Sequence, residues 1–333
     1  MIKNNRSQHA LALAATLTAF CTIDLAENNT HAASADSPKT IFIIMDGIPT
    51  DVVESVPTPN LDDISSKGGF APSFVGGEIG GPSESPTVSA VGYQSLLTGT
   101  WANKHNVWDN DVDEPNYAYW DIFRIAKAHD STLSTAVFST WTDNRTKLIG
   151  NSLTDAGGEK LDYYFDGLEL DTDRFPHDFL GNYIGDIDKE VVKDAARYVR
   201  NNGPDLAWVY LEYTDGVAHV FGDSEVLHAT IQTMDAQVGD IWSSVQYRQE
   251  TFDEDWLIIV TTDHGRDANY GRNHGGQSAR ERATWIVTNS DRLNERFQNT
   301  PAIVDILPSI AQHMNLSMPA PIQIQLDGQS FID

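Results

Sequence analysis

The chain has 333 residues and carries 48 acidic against 22 basic side chains, a formal net charge of −26. So acidic a surface repels nucleic-acid backbones and anionic membranes, and neither is expected as a partner. The chain is long enough to bury a large core in one domain, and its one cysteine, Cys21, excludes disulfides within the chain.

The first 35 residues have the features of a signal peptide. Lys3 and Arg6 precede an apolar run over residues 10–23, and Ala33-Ser34-Ala35 is the small-x-small pattern of a signal-peptidase site. The apolar run is too short to span a bilayer comfortably. We therefore expect cleavage after Ala35 and a periplasmic or secreted product rather than a membrane protein.

Residues 36–333 are predicted to form a single domain with an α/β fold. Apolar runs rich in β-branched residues predict strands, and helical patterns fall between them. Such alternation is typical of a three-layer sandwich, in which helices cover both faces of a largely parallel central sheet. The predicted strands cover residues 40–45, 133–139, 206–211, 256–260 and 284–288.

Two helices stand out between these strands. Residues 186–200 have the pattern of a solvated helix, and a second helix follows the start signal Asp223-Ser224, with Ile231 and Met234 on its apolar face. The acidic segment 162–188 fits neither a helix nor a strand. It is predicted to be a surface excursion.

Side chains that bind metals stand at the ends of two predicted strands. Asp46 ends the first strand, and Asp263 with His264 ends the strand over residues 256–260; His274 follows in the next loop. Because ligands collect at the carboxyl ends of parallel strands, we expect these side chains to share a site. Taken singly, Asp46 is equally consistent with a helix cap, and the Asp-His pair with an ordinary solvated loop.

A third set follows the strand over residues 206–211. Asp215 and His219 are four residues apart, so they face the same way if the segment is helical. As an isolated pair they are equally consistent with a hydrogen-bonded cap. Carboxylates and imidazoles from three strand ends together form a ligand set for zinc, with manganese as the second choice.

A candidate nucleophile lies where a loop passes into an apolar segment. Ser89 is predicted to begin a helix there. Free backbone N–H groups and the positive end of the helix dipole favour an anion at such a position. A serine in this place is also an ordinary helix N-cap residue, so the segment alone leaves both interpretations open.

Taken in chain order, these motifs resemble the alkaline phosphatase superfamily, and within it the branch of type I phosphodiesterases and nucleotide pyrophosphatases. The resemblance extends over nearly all of residues 36–333 and implies an alkaline-phosphatase-like fold. The motifs that carry it are Asp46-Gly47, Thr58-Pro59-Asn60-Leu61-Asp62, Ser89 ten residues before Gly99, Asp215 with His219, Asp263-His264-Gly265, and Asp327-Gly328-Gln329-Ser330.

The resemblance implies two divalent metal ions and assigns a role to each site residue. Ser89 is expected to be the nucleophile and to bind the second ion. Asn110 matches the position of the asparagine that stabilises a phosphoryl oxygen in the nucleotide pyrophosphatases. The first ion is expected on Asp215, His219 and His274, and the second on Asp46, Asp263 and His264.

Two departures concern the nucleophile segment. The pyrophosphatase branch more often has threonine where this chain has Ser89, which leaves monoesterase and diesterase activity open. Sulfatases need a modifiable cysteine or serine followed by Pro and Arg, but Val91 and Tyr93 stand at those places. A formylglycine is therefore not expected.

Two further departures concern the substrate side of the site. His274 lies only ten residues after His264, where many relatives insert a long segment, so there is no room for a cap domain. No convincing counterpart is found for the arginine with which alkaline phosphatases bind phosphate. Arg266 and Arg272 are the nearest candidates in sequence.

The sequence thus predicts an exported two-metal hydrolase that acts on a small phosphate ester through a phosphoseryl intermediate. A phosphosugar mutase of the same superfamily is an alternative, although such enzymes normally carry an inserted domain for which this chain has no spare residues. A secreted binding protein that has lost turnover is another alternative. No predicted ligand is missing, which favours the hydrolase.

Overall fold

The structure is a computed structural model that describes residues 38–333. The predicted signal peptide, residues 1–35, lies outside the described residues. The strands are β1 (Pro38–Met45), β2 (Gly69–Phe74), β3 (Thr135–Ser139), β4 (Tyr163–Phe165), β5 (Leu206–Leu211), β6 (Asp255–Thr261) and β7 (Ala283–Thr288).

Helices connect these strands and cover both faces of the sheet. Asn144–Leu148 forms a π-helical turn, and Leu168–Leu170 and Ile303–Asp305 form 3₁₀ turns. The α-helices are α1 (Thr50–Val53), α2 (Pro59–Lys67), α3 (Ser89–Thr98), α4 (Ala102–His105), α5 (Ile122–His129), α6 (Asn182–Asn202), α7 (Tyr213–Phe221), α8 (Glu225–Phe252), α9 (Ala279–Arg282), α10 (Glu295–Gln298), α11 (Ile306–His313) and α12 (Ala320–Gln323).

The seven strands form one sheet in the order β2-β7-β6-β1-β5-β3-β4. Strands β6, β1, β5, β3 and β4 pair in parallel, whereas β7 runs antiparallel to both β6 and β2. The expected α/β sandwich with a largely parallel sheet is therefore confirmed. The antiparallel edge was not expected from the sequence.

Side chains of the central strand alternate between two apolar layers. Phe42 and Ile44 of β1 pack with helices α3, α5 and α11, whereas Ile41 and Ile43 pack with α2, α6 and α8 on the opposite face. All four side chains are buried. Burial on both faces explains why β1 is a nearly continuous apolar run.

The predicted elements agree with the structure at the centre of the sheet and differ at its edges. The strand predicted over residues 206–211 has the bounds of β5, and Ser224 caps α8 as expected by accepting the Leu227 N–H group. The prediction of a surface excursion over residues 162–188 is wrong at both ends: it contains β4 and the beginning of α6. A three-residue edge strand is too short to produce an alternating pattern.

Within residues 38–333, no helix combines the length and the apolar character that crossing a bilayer requires.

Candidate metal-dependent active site

The three sets of candidate ligands meet at one edge of the sheet. Strand β1 lies between β5 and β6, with Met45 opposite Leu211 and Ile44 opposite Thr261. Because the three strands are parallel, the residues that follow them leave the sheet side by side. Asp46 follows β1, Asp263 follows β6, and α7 begins two residues after β5 ends.

Asp215, His219 and His274 form the first cluster. The Nε2 atom of His219 lies 3.3 Å from Oδ2 of Asp215, and Nε2 of His274 lies 3.6 Å from Oδ1 of the same carboxylate. The two Nε2 atoms are 3.1 Å apart. Two residues on one helical face and one from a loop thus point their ligand atoms at a common space.

Asp46, Asp263 and His264 form the second cluster, which adjoins the first. The Nε2 atom of His264 lies 3.5 Å from Oδ1 of Asp46 and 3.3 Å from Oδ2 of Asp263. It also lies 3.9 Å from Oδ1 of Asp215. Suitable ligand atoms of Asp46, Asp215 and His264 are all within 4.8 Å of one another, so the Asp215 carboxylate stands between the two clusters.

The imidazole tautomers suit metal binding. Nδ1 of His264 lies 2.9 Å from the carbonyl oxygen of Gly265, and Nδ1 of His274 lies 2.9 Å from that of Thr87. Each carbonyl oxygen accepts a hydrogen bond from the Nδ1–H group. Each Nε2 atom therefore keeps a lone pair that faces its cluster. Metal-bound histidines are oriented in this way by a hydrogen bond from the other ring nitrogen.

Two carboxylate oxygens show that the second cluster fits a cation. Oδ1 of Asp46 and Oδ2 of Asp263 are buried and have no hydrogen-bond partner among the described residues. Burial and the negative charge of Asp215 raise the pKa of Asp46 to about 7, and burial with the charge of Asp46 raises that of Asp263 well above its usual value. A bound cation would satisfy both oxygens and would lower these raised pKa values, because it stabilises the charged carboxylates.

Ser89 lies against the second cluster at the N-terminus of α3. Its Oγ atom is 3.2 Å from Nε2 of His264. The preceding residue, Val88, has an extended conformation and makes no side-chain cap, so Ser89 is the first helical residue rather than the cap. Its hydroxyl therefore points into the site and is not used to hold the helix end.

A close helix–strand contact brings Ser89 to this place. A Cβ atom at Gly92 would lie 2.7 Å from the carbonyl oxygen of Asp263 and 2.9 Å from its Cβ atom. Both distances are shorter than van der Waals contact. The absence of a side chain at Gly92 thus lets α3 approach the end of β6.

Asn110 is held at the same helix end. Its Oδ1 atom accepts the Ala90 N–H group at 2.9 Å. The amide of Ala90 is therefore occupied by a side chain. Among the described residues the Nδ2 amino group of Asn110 has no partner, so it is available as a donor to a ligand beside Ser89.

Two tyrosines hold Asp46, a role that the sequence analysis did not assign to either of them. The Tyr93 hydroxyl donates to Oδ2 of Asp46, and the Tyr210 hydroxyl donates to the same oxygen at 2.7 Å. Burial first, and the charge of Asp46 second, raise the pKa of both tyrosines well above the usual value. Both hydroxyls thus stay protonated, and they leave Oδ1 as the free oxygen of Asp46.

Arg266 does not face the site as a phosphate-binding arginine would. Its side chain is fully buried, and it donates to the carbonyl oxygens of Gly47, Asp215 and Arg272 at 2.9, 3.0 and 3.3 Å. It also forms an ion pair with the Asp215 carboxylate. Although burial opposes this, the Arg266 charge holds the pKa of Asp215 below its usual value. Arg266 therefore fixes a candidate ligand in place.

A cavity of about 320 Å³ opens over Ser89 and the Asp46 carboxylate. Asn110, Lys147 and Glu212 are among the residues on its walls. Burial and the charge of Asp46 raise the pKa of Glu212 well above its usual value. This space is large enough for a small ester and adjoins both clusters.

Comparison with known proteins shows that the chain belongs to a class of hydrolases that act on phosphate esters. The sequence profile of the type I phosphodiesterase / nucleotide pyrophosphatase family matches residues 40–309. The chain belongs to that family, whose members hydrolyse phosphate esters. No curated protein matches the chain significantly.

Solved structures agree with this fold at low sequence identity. Murine ectonucleotide pyrophosphatase / phosphodiesterase 5, an inactive variant in complex with AMP, is 13% identical with a TM-score of 0.59 over 86% of this chain and 99% of its own. The phosphonate monoester hydrolase of Agrobacterium radiobacter is 16% identical with a TM-score of 0.59 over 88% and 76%. A 2-O GAG sulfatase is 12% identical with a TM-score of 0.59 over 89% and 75%.

Proposed function

We propose that this phosphoester hydrolase is an exported, two-metal enzyme that works through a phosphoseryl intermediate at Ser89. The observation that carries the proposal is the position of the Ser89 hydroxyl, 3.2 Å from a lone-pair-bearing imidazole nitrogen, next to two buried carboxylate oxygens without partners. Hydroxyl, imidazole and unsatisfied carboxylates in contact are a set that a cation would complete.

The chain offers a separate ligand set for each of two divalent ions, for which zinc is the first candidate and manganese the second. When bound, such ions lower the pKa of the serine hydroxyl and neutralise charge on the leaving oxygen. The first ion would be held by Asp215, His219 and His274, and the second by Asp46, Asp263, His264 and Ser89.

The chain's own groups carry the two chemical steps. Oγ of Ser89 forms a bond to phosphorus while the bond from phosphorus to the ester oxygen breaks, and the serine proton passes to solvent. The leaving oxygen takes a proton from solvent. Water then attacks the phosphoseryl group, loses a proton to solvent and regenerates Ser89, with release of phosphate from a monoester substrate or of a phosphate monoester from a diester. Asn110, with its Nδ2 group free, would donate to an equatorial oxygen of the transferring group during both steps.

Three measurements test this function. Elemental analysis of the protein refolded with zinc should find two metal equivalents per chain, and chelation should abolish hydrolysis of an aryl phosphate ester. A reaction with ³²P-labelled ester, quenched in mild acid and digested, should leave label on the peptide that contains Ser89. Activity that survives exhaustive chelation would exclude the metal-dependent route.

Export is a separate part of the proposal and rests on the features of residues 1–35. Secreted or periplasmic material should begin at or near Asp36 in mass spectrometry. Recovery of the chain with Met1 intact, and from the cytoplasm only, would refute it.

A further inference from the structure

We propose that Lys147 is a specificity-determining residue that binds a phosphoryl oxygen and favours phosphate monoesters over diesters. This inference rests on the proposed function and names the substrate class of the same site. Neither Arg266 nor Arg272 lines the cavity, so Lys147 is the side chain that supplies positive charge to its wall.

Lys147 is the only cationic side chain among the described residues that line the cavity over Ser89. Arg266, the nearest alternative in sequence, is fully buried and directs its donors at Gly47, Asp215 and Arg272. A substrate in the cavity would therefore meet one protein cation, and that cation is the Lys147 ammonium.

The ammonium group is held beside Asn110. Its Nζ atom donates to the carbonyl oxygen of Asp111 at 2.9 Å, and Asp111 directly follows Asn110. Because Oδ1 of Asn110 is bound to the Ala90 amide, this short segment fixes the ammonium near the N-terminus of α3. The Asn110 amino group and the Lys147 ammonium thus stand on the same side of the cavity.

The backbone of Lys147 is also held in place. Lys147 belongs to the π-helical turn Asn144–Leu148, and such turns are frequent at functional sites. The Tyr117 hydroxyl donates to the carbonyl oxygen of Lys147 at 2.5 Å, and the buried Asn144 side chain donates to Oγ of Ser139 at 3.0 Å. These bonds connect the turn to a loop and to the end of β3.

The ion pair of Lys147 with Asp143 leaves its charge available to a substrate. The two groups are 3.0 Å apart, and their side chains are 43% and 23% exposed. An exposed ion pair of this kind contributes little free energy, because water competes for both charged groups. An ammonium has three donors, and two are directed at Asp111 and Asp143, so a third remains for a substrate oxygen.

The charge of the substrate determines which ester the contact with Lys147 stabilises more. A phosphate monoester is a dianion near neutral pH, whereas a diester carries a single negative charge and an alkylated oxygen. Asp143 adds negative charge to the cavity wall, so an additional anionic oxygen would be repelled without a facing cation. Lys147 supplies that cation and therefore favours the monoester.

The test compares an aryl phosphate monoester with the matched aryl methyl diester on the zinc-loaded protein. Lys147→Met should lower kcat/KM for the monoester by about 10- to 100-fold, the range expected for one hydrogen bond to a charged group. It should lower kcat/KM for the diester by less than about threefold, and Lys147→Arg should retain most of the monoester preference.

A matched control separates this effect from a general change of surface charge. Lys67 forms an exposed pair with Asp63 at the same four-residue spacing, on α2 and away from the cavity. Lys67→Met should leave both esters unchanged. Equal losses on both esters in Lys147→Met, or a loss for Lys67→Met that matches it, would overturn the inference.

A binding measurement keeps the inference separate from the proposed function. Inorganic phosphate is titrated calorimetrically into zinc-loaded Ser89→Ala protein, with and without Lys147→Met, so that no turnover is needed. Weaker phosphate binding by about 10-fold or more in the double variant supports Lys147, and equal binding refutes it. Hydrolysis of neither ester by the wild-type protein would refute the proposed function alone.

Discussion

The Ser89 hydroxyl lies 3.2 Å from Nε2 of His264, although the two residues are 175 positions apart in the chain. The contact depends on α3 reaching the end of β6, and it joins the candidate nucleophile to the second ligand cluster. Ser89→Ala should consequently bind metal nearly as well as the wild type, since three other protein ligands remain for the second ion, and should turn over almost nothing.

Ser89→Thr is the matched variant for the nucleophile. It keeps the hydroxyl, and the residues resemble a branch in which threonine is common at this position, so measurable activity should remain. Initial rates and metal content of both variants check the pair of predictions. Wild-type rates in Ser89→Ala would mean that water attacks the ester directly.

The two ligand clusters should lose metal separately. His274→Ala removes a ligand of the Asp215 cluster only, so the protein should retain about one of two metal equivalents. Asp263→Asn replaces an unpartnered buried oxygen next to His264 and should weaken the other ion. Elemental analysis after dialysis measures both, and loss of both ions in each variant would show that the clusters do not bind independently.

Asn110→Ala should lower kcat on the order of 100-fold, the usual effect of removing one donor to a developing oxyanion. Metal content should not change, because Asn110 contacts α3 through the Ala90 amide and contacts no candidate ligand in the described residues. Asn110→Asp is the informative companion. It keeps an acceptor for Ala90 but removes the free donor, so it should be as slow as Asn110→Ala.

Gly92→Ala should lower both kcat and the free energy of unfolding. The added methyl group would lie 2.7 Å from the Asp263 carbonyl oxygen, and overpacking of this kind costs about 1–3 kcal/mol. Urea unfolding gives the loss of stability, and kcat gives the loss of turnover. Gly216→Ala serves as a control, because its nearest contact would be a flexible Ile184 methyl group at 3.3 Å.

Acid should destabilise the protein through His105. Burial lowers the pKa of this fully buried histidine to about 3. Its Nδ1 atom accepts the Val107 N–H group and its Nε2 atom lies 3.1 Å from Oγ of Ser95. The unfolded chain takes up the proton near pH 6.5, so the stabilisation is complete above that pH and is lost as the pH falls from about 6.5 to 3.

This loss is measurable at moderate pH. Between pH 7.5 and pH 5, His105 should account for a decrease of roughly 2 kcal/mol in the free energy of unfolding. His105→Asn keeps an acceptor for Val107 and has no ionisable group, so its decrease over the same range should be smaller by that amount. Urea titrations at both pH values provide the measurement, and parallel decreases would contradict the assignment.

The site was predictable where it depends on local sequence. Asp46 follows an apolar run directly and Asp263 follows one after two threonines, so the strand pattern alone gives the edge at which they lie. Asp215 and His219 share a helical face through their spacing. In each case the position of a side chain follows from its own neighbours in the chain.

The parts that were missed depend on contacts between distant segments. The Tyr210 hydroxyl reaches Asp46 only because β5 and β1 pair in one particular register. Lys147 joins the cavity wall because its turn folds against residue 111. By sequence Arg266 is a candidate for binding phosphate, but its neighbours in the chain do not predict that it donates to Gly47 and Asp215.

The contact of Gly92 with Asp263 also restricts how this enzyme can evolve. Most hydrophobic cores accept many substitutions of similar volume. The free energy of unfolding can then change during evolution while the activity stays the same. At this position there is no room for a methyl group between the helix that carries the serine and the residues after β6 that include two candidate ligands. Selection would therefore remove substitutions of Gly92 because they slow the reaction. Stabilising replacements elsewhere in α3 could not restore the position of Ser89 beside His264.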